Sequence, residues 1–250
     1  MNNNLSSNKS YNEYIKFNAC INAGNVSKNN IGKLFRVIRN CIKKKMHDDW
    51  KKNRLGNDIS SGGVPRLEID ESKLLGNQTK VYWMFGIICR ASKKCRIFCV
   101  LENRTKESLL PLIKNNVDTY NDINQYHTNE DLHLYSLCTR IYSDCWSAYQ
   151  QSDFKEHGYL LHRVNHSVWF GSGLFHTNNV EGLWSQIKRL CFDFSGLTFK
   201  LLEKVEKKGI NPKDYLDDWI CWAIFLRDCE LNKLNKINKI MKLTEFIKYN

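Results

Sequence analysis

Asp70, Asp144 and Glu181 are the residues of this sequence best placed to do chemistry together. Asp70 ends the run Val64-Pro-Arg-Leu-Glu-Ile-Asp70, in which Leu67 and Ile69 alternate with polar neighbours as on a strand. Asp144 closes a second strand-like run that starts near Leu137, and Glu181 falls in the first turns of a helix expected over residues 176–191. Strand ends and helix starts around one sheet edge are where carboxylates distant in sequence converge. An all-oxygen trio suits Mg2+ or Mn2+. Two such ions about 3.5–4 Å apart can activate a nucleophile and stabilise the leaving oxygen of a phosphodiester. Each carboxylate also has a structural reading. Asp70 and Glu71 could solvate a strand end, Asp144 could cap a short helix beginning at Trp146, and Glu181 could complete an Asn178-x-x-Glu181 capping box.

The elements that must hold these residues can be read from the spacing of apolar positions. Residues 1–10 are rich in Asn and Ser and read as a disordered tail. After an N-cap at Ser27, Ile31, Leu34, Phe35, Ile38 and Ile42 form one apolar helical face. Lys33, Arg36, Arg39, Lys43, Lys44 and Lys45 stand opposite, on either a solvated basic face or a DNA-facing helix. Gly56 to Pro65 is a loop and the expected domain boundary. Strands are expected over residues 64–70, 81–88, 96–101, 137–142 and 159–164, with a helix over 107–117 and a polar surface insertion over 118–131. Further helices are expected over 176–191, 198–208 and from 214 to 231 and beyond. The order predicts an α/β fold, a mixed sheet flanked by helices with a small helical N-terminal segment. The expected units are a possibly DNA-binding segment over 11–60, a catalytic domain over 61–195 and a C-terminal helical extension over 196–250.

Composition narrows the partners. The 250 residues include 38 Lys and Arg against 26 Asp and Glu, a net charge of +12, which favours a polyanion such as nucleic acid. No apolar run approaches the roughly 20 residues of a spanning helix, and the start carries no secretory pattern, so no membrane partner is expected. The ten cysteines lack any Cys-x-x-Cys pair and read as reduced thiols of an intracellular protein, nuclear if the host is a eukaryote. Cys95 and Cys99 have no second pair at finger spacing, so no structural zinc site is expected.

Four blocks occur in order: Val64-Pro-Arg-Leu-Glu-Ile-Asp-Glu-Ser-Lys73, Ile141-Tyr-Ser-Asp-Cys-Trp-Ser-Ala-Tyr149, Val164-Asn-His-Ser-Val168 and His176-Thr-Asn-Asn-Val-Glu-Gly-Leu-Trp-Ser-Gln-Ile-Lys188. Together, over roughly residues 60–190, they resemble the Merlin-type DDE transposases and their bacterial insertion-sequence (ISXO-like) relatives. The resemblance implies an RNase H-like fold and a DDE triad of Asp70, Asp144 and Glu181, with 36 residues between the last two. It further implies two Mg2+ or Mn2+ ions, DNA as substrate and a homo-oligomer that brings two transposon ends together. The implied activity is cleavage of transposon ends and strand transfer into target DNA. His176, Asn179, Asn165 and His166 lie within the blocks and are expected to orient the carboxylates or touch DNA.

Lys188 follows Glu181 by seven positions, close to two helical turns, so both share a face, and a cation there can hold a phosphate beside the metal site. Arg189 and Lys73 are further candidate phosphate contacts. The sequence departs from the family in three ways: it has no zinc-binding segment near its start, it carries the polar insertion, and its Tyr215-Leu-Asp-Asp-Trp219 matches the closing motif only loosely. Two rival readings follow. One is an inactive or domesticated copy that binds DNA without cutting it; the other is an RNase H-like nuclease acting on RNA or hybrids.

Overall fold

Among the described residues, runs of β-branched and aromatic residues build five strands: β1 (Arg66–Gly76), β2 (Val81–Cys89), β3 (Cys95–Leu101), β4 (Thr139–Asp144) and β5 (Tyr159–Val164). The helices are α1 (Lys28–Lys52), α2 (Lys106–Asn116), α3 (Gln151–Lys155), α4 (Asn178–Ser195), α5 (Phe199–Lys207) and α6 (Pro212–Leu231). This computed structural model describes residues 28–56, 64–101, 104–119, 139–144, 149–165, 175–195 and 197–233. The expected tail, the Ser27 cap, Trp146, His166 and most of the polar insertion lie outside the described residues.

One five-stranded sheet has the order β3-β2-β1-β4-β5. β1, β2 and β3 form an antiparallel meander, while β4 and β5 run parallel to β1 on its other side. With helices on both faces, this is the RNase H-like arrangement, and the expected fold class holds.

Each face has its own core. Leu67, Ile69, Phe85, Ile87 and Ile141 point to the face covered by α2 and α3, where Leu109, Ile113 and Phe154 meet them. Met84, Ile88, Ile97 and Cys99 point to the other face, under α4, α6 and α1. Each wholly buried Leu or Ile contributes about 1.5–3 kcal/mol relative to exposure. Asn211 caps α6, its side-chain oxygen accepting from the Lys213 N–H at 2.9 Å, and Pro212 supplies a first-turn position where no donor is needed.

β4 ends on Asp144, as the sequence reading has it. Two sequence expectations change. β1 runs six residues past Asp70, to Gly76, so Asp70 lies mid-strand rather than at a strand end. The basic face of α1 is not uniformly solvated: Arg39 is buried, its guanidinium 3.9 Å from the Trp219 ring, and Lys43 pairs with Asp218 at 2.5 Å. Ile38, Ile42 and Trp50 of α1 share one core with α4 and α6. Among the described residues no helix is long and apolar enough to cross a membrane.

Candidate active site

β1 and β4 pair in parallel at Arg66↔Arg140, Leu67↔Ile141 and Glu68↔Tyr142. Two residues beyond the last paired position, β1 carries Asp70 and β4 carries Asp144. Strand alternation puts both side chains on the face under α4, since Leu67, Ile69 and Ile141 occupy the opposite core. α4, which carries Glu181 in its first turn, covers the same face. The helix lies on that face through Val180, Leu183, Trp184 and Ile187, all buried in the core it shares with Met84 and Ile88.

Trp184 fixes the approach. Its indole N–H donates to Asp70 Oδ2 at 2.8 Å, and its ring lies over Gly86, the residue paired with Asp70 across β1 and β2. A Cβ at position 86 would meet the Trp184 ring at 2.4 Å, so only glycine admits the indole at this depth. Trp184 thus packs α4 onto the sheet and also makes a hydrogen bond that the sequence does not disclose.

The electrostatics bind the group together. Burial pushes the Asp70 carboxyl up to about 6; the Trp184 N–H and a backbone bond from Glu71 oppose this, while Asp144 and Glu181 add to it. Glu71 does not solvate a strand end. Burial first, then Asp70 and Asp144, push it up to about 8 against the pull of Arg104. Lys188 is half-buried; burial lowers its ammonium while the charge of Asp70 works the other way. It shares the Glu181 face of α4.

The other candidates fall in several places. Arg189 is exposed, next to Lys188 on α4, and Asn165 is exposed just past β5. Lys73 is exposed on β1 but pairs with Trp83, and by alternation it projects from the face opposite Asp70. The structure does not bring Lys73 to the carboxylates. Asn179 and His176 turn to Glu68 rather than to the trio. Asn179 Nδ2 donates to Glu68 Oε1 at 2.7 Å, and His176 Nδ1 lies 3.3 Å from the same oxygen. Burial and Arg90 lower the His176 imidazole, with Glu68 opposing.

Sequence reasoning passed over Glu68, whose side chain is 0% exposed and is the most enclosed carboxylate near the site. Its Oε2 accepts from the backbone N–H groups of Asn179 at 2.8 Å and Val180 at 3.0 Å, and its Oε1 accepts from Arg90 Nε at 2.6 Å. The available signal was the strand pattern itself. On a sheet covered on both faces, a polar residue between Leu67 and Ile69 is buried and needs partners.

The donor set of Asp70, Asp144 and Glu181 is all oxygen, the set that magnesium or manganese takes. Asp70 is raised first by burial and then by the charges of Asp144 and Glu181, and a cation would offset both. The fit lies in chemistry and backbone placement. The carboxyl heads are not gathered on one point, since no group of three His, Cys, Asp or Glu among the described residues is close enough to hold an ion. Glu181 instead accepts from Thr177 Oγ1 at 2.8 Å, and the first-turn N–H groups of Asn179 and Val180 go to Glu68.

No model of a known protein family matches this sequence, and no curated protein matches it. Among solved structures the chain is similar to the HTLV-2 integrase catalytic core domain in complex with magnesium (dimeric form). The identity is 15%, over 68% of this chain and 87% of that chain, with a TM-score of 0.36. It is also similar to a chain of the simian T-cell lymphotropic virus intasome in complex with the PP2A regulatory subunit B56 gamma. There the identity is 13%, over 70% of this chain and 51% of that chain, with a TM-score of 0.33. Likeness at these identities concerns the arrangement of the chain alone.

Proposed function

We propose that this chain is a DDE-type polynucleotidyl transferase that cuts and joins DNA, a transposase of the Merlin type, with Asp70, Asp144 and Glu181 as its metal-holding carboxylates. The observation that supports this reading is the packing of α4 on β1 beside the parallel pairing of β1 with β4, which sets Asp70 under the influence of Asp144 and Glu181. Asp70 is pushed up to about 6 by burial, with Asp144 and Glu181 adding to the rise. The four sequence blocks in order support the finer, Merlin-type assignment.

Asp70, Asp144 and Glu181 would hold one or two Mg2+ or Mn2+ ions, which supply charge neutralisation and nucleophile activation for phosphodiester chemistry. The remaining work belongs to the chain. Trp184 holds Asp70 in place through its indole N–H. Lys188, half-buried on the Glu181 face of α4, would offer a cation to a DNA phosphate. Arg189 adds an exposed charge one residue on. Phosphoryl transfer asks for positioning and charge stabilisation rather than a protein nucleophile, and these residues serve that need. The net charge of +12 suits a DNA partner, and synapsis of two ends calls for a homo-oligomer.

A second reading, a copy that binds DNA without cutting it, is favoured by one observation: Glu181 is turned onto Thr177 and no described trio is gathered for a metal. The deciding experiment is a cleavage and strand-transfer assay on DNA carrying the element's terminal repeats, in Mg2+, Mn2+ or EDTA. The expected outcome is metal-dependent joining that falls by at least about a thousandfold in Asp144→Ala, the scale of losing a central electrostatic stabiliser. Binding of that DNA with no nicking in either metal would give the case to the second reading.

A further inference from the structure

The buried pair Glu68–Arg90 touches, in each of the elements carrying the three carboxylates, a residue just before the carboxylate. Glu68 is on β1, two residues before Asp70 and on the same face of the strand. The Arg90 guanidinium lies 3.8 Å from the ring of Tyr142, which is two residues before Asp144 on β4. Glu68 accepts from the N–H groups of Asn179 and Val180, the two residues before Glu181 on α4. Arg90 Nη2 also donates to the His176 carbonyl, at the entry to that helix.

First-turn N–H groups of a helix have no partner within the helix and are usually satisfied by a residue just before it. In α4 the carboxylate comes from another element, β1, so the helix is capped by the strand it lies on. A second tie follows in the same direction, from Trp184 to Asp70. Two residues along a strand advance about 6.8 Å, and the four from Val180 to Trp184 advance about 6 Å along a helix. The two ties therefore match as successive rungs between β1 and α4. A slip of α4 by one residue would break both, and would carry Glu181 about 100° around the helix axis.

We propose that Glu68 and Arg90 are positioning residues for the metal site, setting β1, β4 and α4 in the register at which Asp70, Asp144 and Glu181 can share a cation. This inference rests on the metal-site reading above and adds to it a buried centre that touches neither metal nor DNA. Asn179 completes the centre: its Nδ2 donates to Glu68 and its Oδ1 accepts from Lys93 Nζ at 2.6 Å, which keeps the amide oriented.

The test uses the full chain and two readouts. Mn2+ binding is followed by electron paramagnetic resonance, and amide exchange is followed over the first turn of α4 by mass spectrometry. The variants are Glu68→Ala and Glu68→Gln; Gln keeps the shape and an accepting oxygen, so it secures a folded protein if Ala does not. Ile113→Ala, in the core on the other face of the sheet, serves as a control for general destabilisation. Glu68→Ala is expected to weaken Mn2+ binding by about 10–100-fold, the range for groups that orient metal ligands, and Glu68→Gln by about tenfold. Both should expose the Asn179 and Val180 amides to exchange, while Ile113→Ala keeps wild-type affinity and protection in that turn. Folded Glu68 variants with wild-type Mn2+ affinity would overturn the proposal, as would unchanged protection of the turn. A wild type that binds no Mn2+ would instead overturn the metal-site reading, and the exchange arm alone would then decide whether Glu68 docks α4.

Discussion

Glu68 and Asp70 sit two residues apart on one face of β1, under one helix, in opposite surroundings. Glu68 is wholly enclosed and accepts from Arg90, Asn179 Nδ2 and two backbone N–H groups, so both its oxygens are supplied with donors. Asp70 is met by the Trp184 indole and then by other carboxylates, and it is pushed up to about 6. The difference teaches how to tell a carboxylate that builds the fold from one kept for a ligand. Saturation with donors marks the first; desolvation among like charges marks the second.

The largest expected effect is the asymmetry between the two on mutation. Glu68→Ala leaves Arg90 and the first turn of α4 buried without their partner and should cost about 3–5 kcal/mol in chemical denaturation. Asp70→Asn, by contrast, should leave metal-free stability unchanged or raised while abolishing Mn2+ binding. Equal losses in both variants would dissolve the distinction. Next comes pH. A carboxyl whose folded value is raised stabilises the fold fully below its unfolded value, near 4, and that contribution is lost as pH rises through about 6. For Asp70 the swing is about 3 kcal/mol, so metal-free stability should fall across this window. Saturating Mg2+ should flatten the fall, as should Asp70→Asn. Unfolding curves in EDTA that stay level from pH 4 to 7 would show that Asp70 is not held among unrelieved charges.

Gly86→Ala should cost about 1–3 kcal/mol as the Trp184 ring is forced off the sheet, and it should weaken Mn2+ binding because the ring's hydrogen bond to Asp70 goes with it. Normal metal affinity in this variant would remove Trp184 from the site. The smallest effect is expected from Thr177→Val, which deletes the hydroxyl holding Glu181 at a cost of about 1 kcal/mol. Mn2+ affinity should hold or tighten as Glu181 is released. A marked loss would mean that Thr177 serves the site rather than drawing Glu181 away from it.

The sequence discloses what depends on local periodicity. Alternation and apolar spacing place β2, β3, β5 and α2 within a residue or two, and they put Asp70 on β1, Asp144 at the end of β4 and Glu181 in the first turn of a helix. What depends on contact across the chain is hidden. The alternation of Leu67 and Ile69 with polar neighbours suggests a strand with one wet face, so Glu68 reads as solvent-facing until α4 is known to cover it. Nothing near Arg90 in sequence indicates Tyr142 or His176. Lys43 and Arg39 look like part of a solvated stripe because their partners, Asp218 and Trp219, lie far along the chain. Tyr215-Leu-Asp-Asp-Trp219 is weak as a motif and strong as a joint. Asp217 accepts from the N–H of Cys99 on the edge strand β3, and the two residues after it hold α1.

That joint has a bearing on biosynthesis. α6 packs on β3, α4 and α1 together, and its Trp219, Ile220, Ala223 and Phe225 lie in the core shared with Ile38 and Ile42. A nascent chain leaving the ribosome makes its sheet and first helix well before residues 212–231 emerge. At about 5–20 residues per second, the apolar side of β3 waits for seconds. The half-made protein offers a sticky edge and a bare face during that interval, so chaperone capture and growth temperature should govern its yield. A fragment cut before α6 should collect in inclusion bodies even though every carboxylate of the site is present in it.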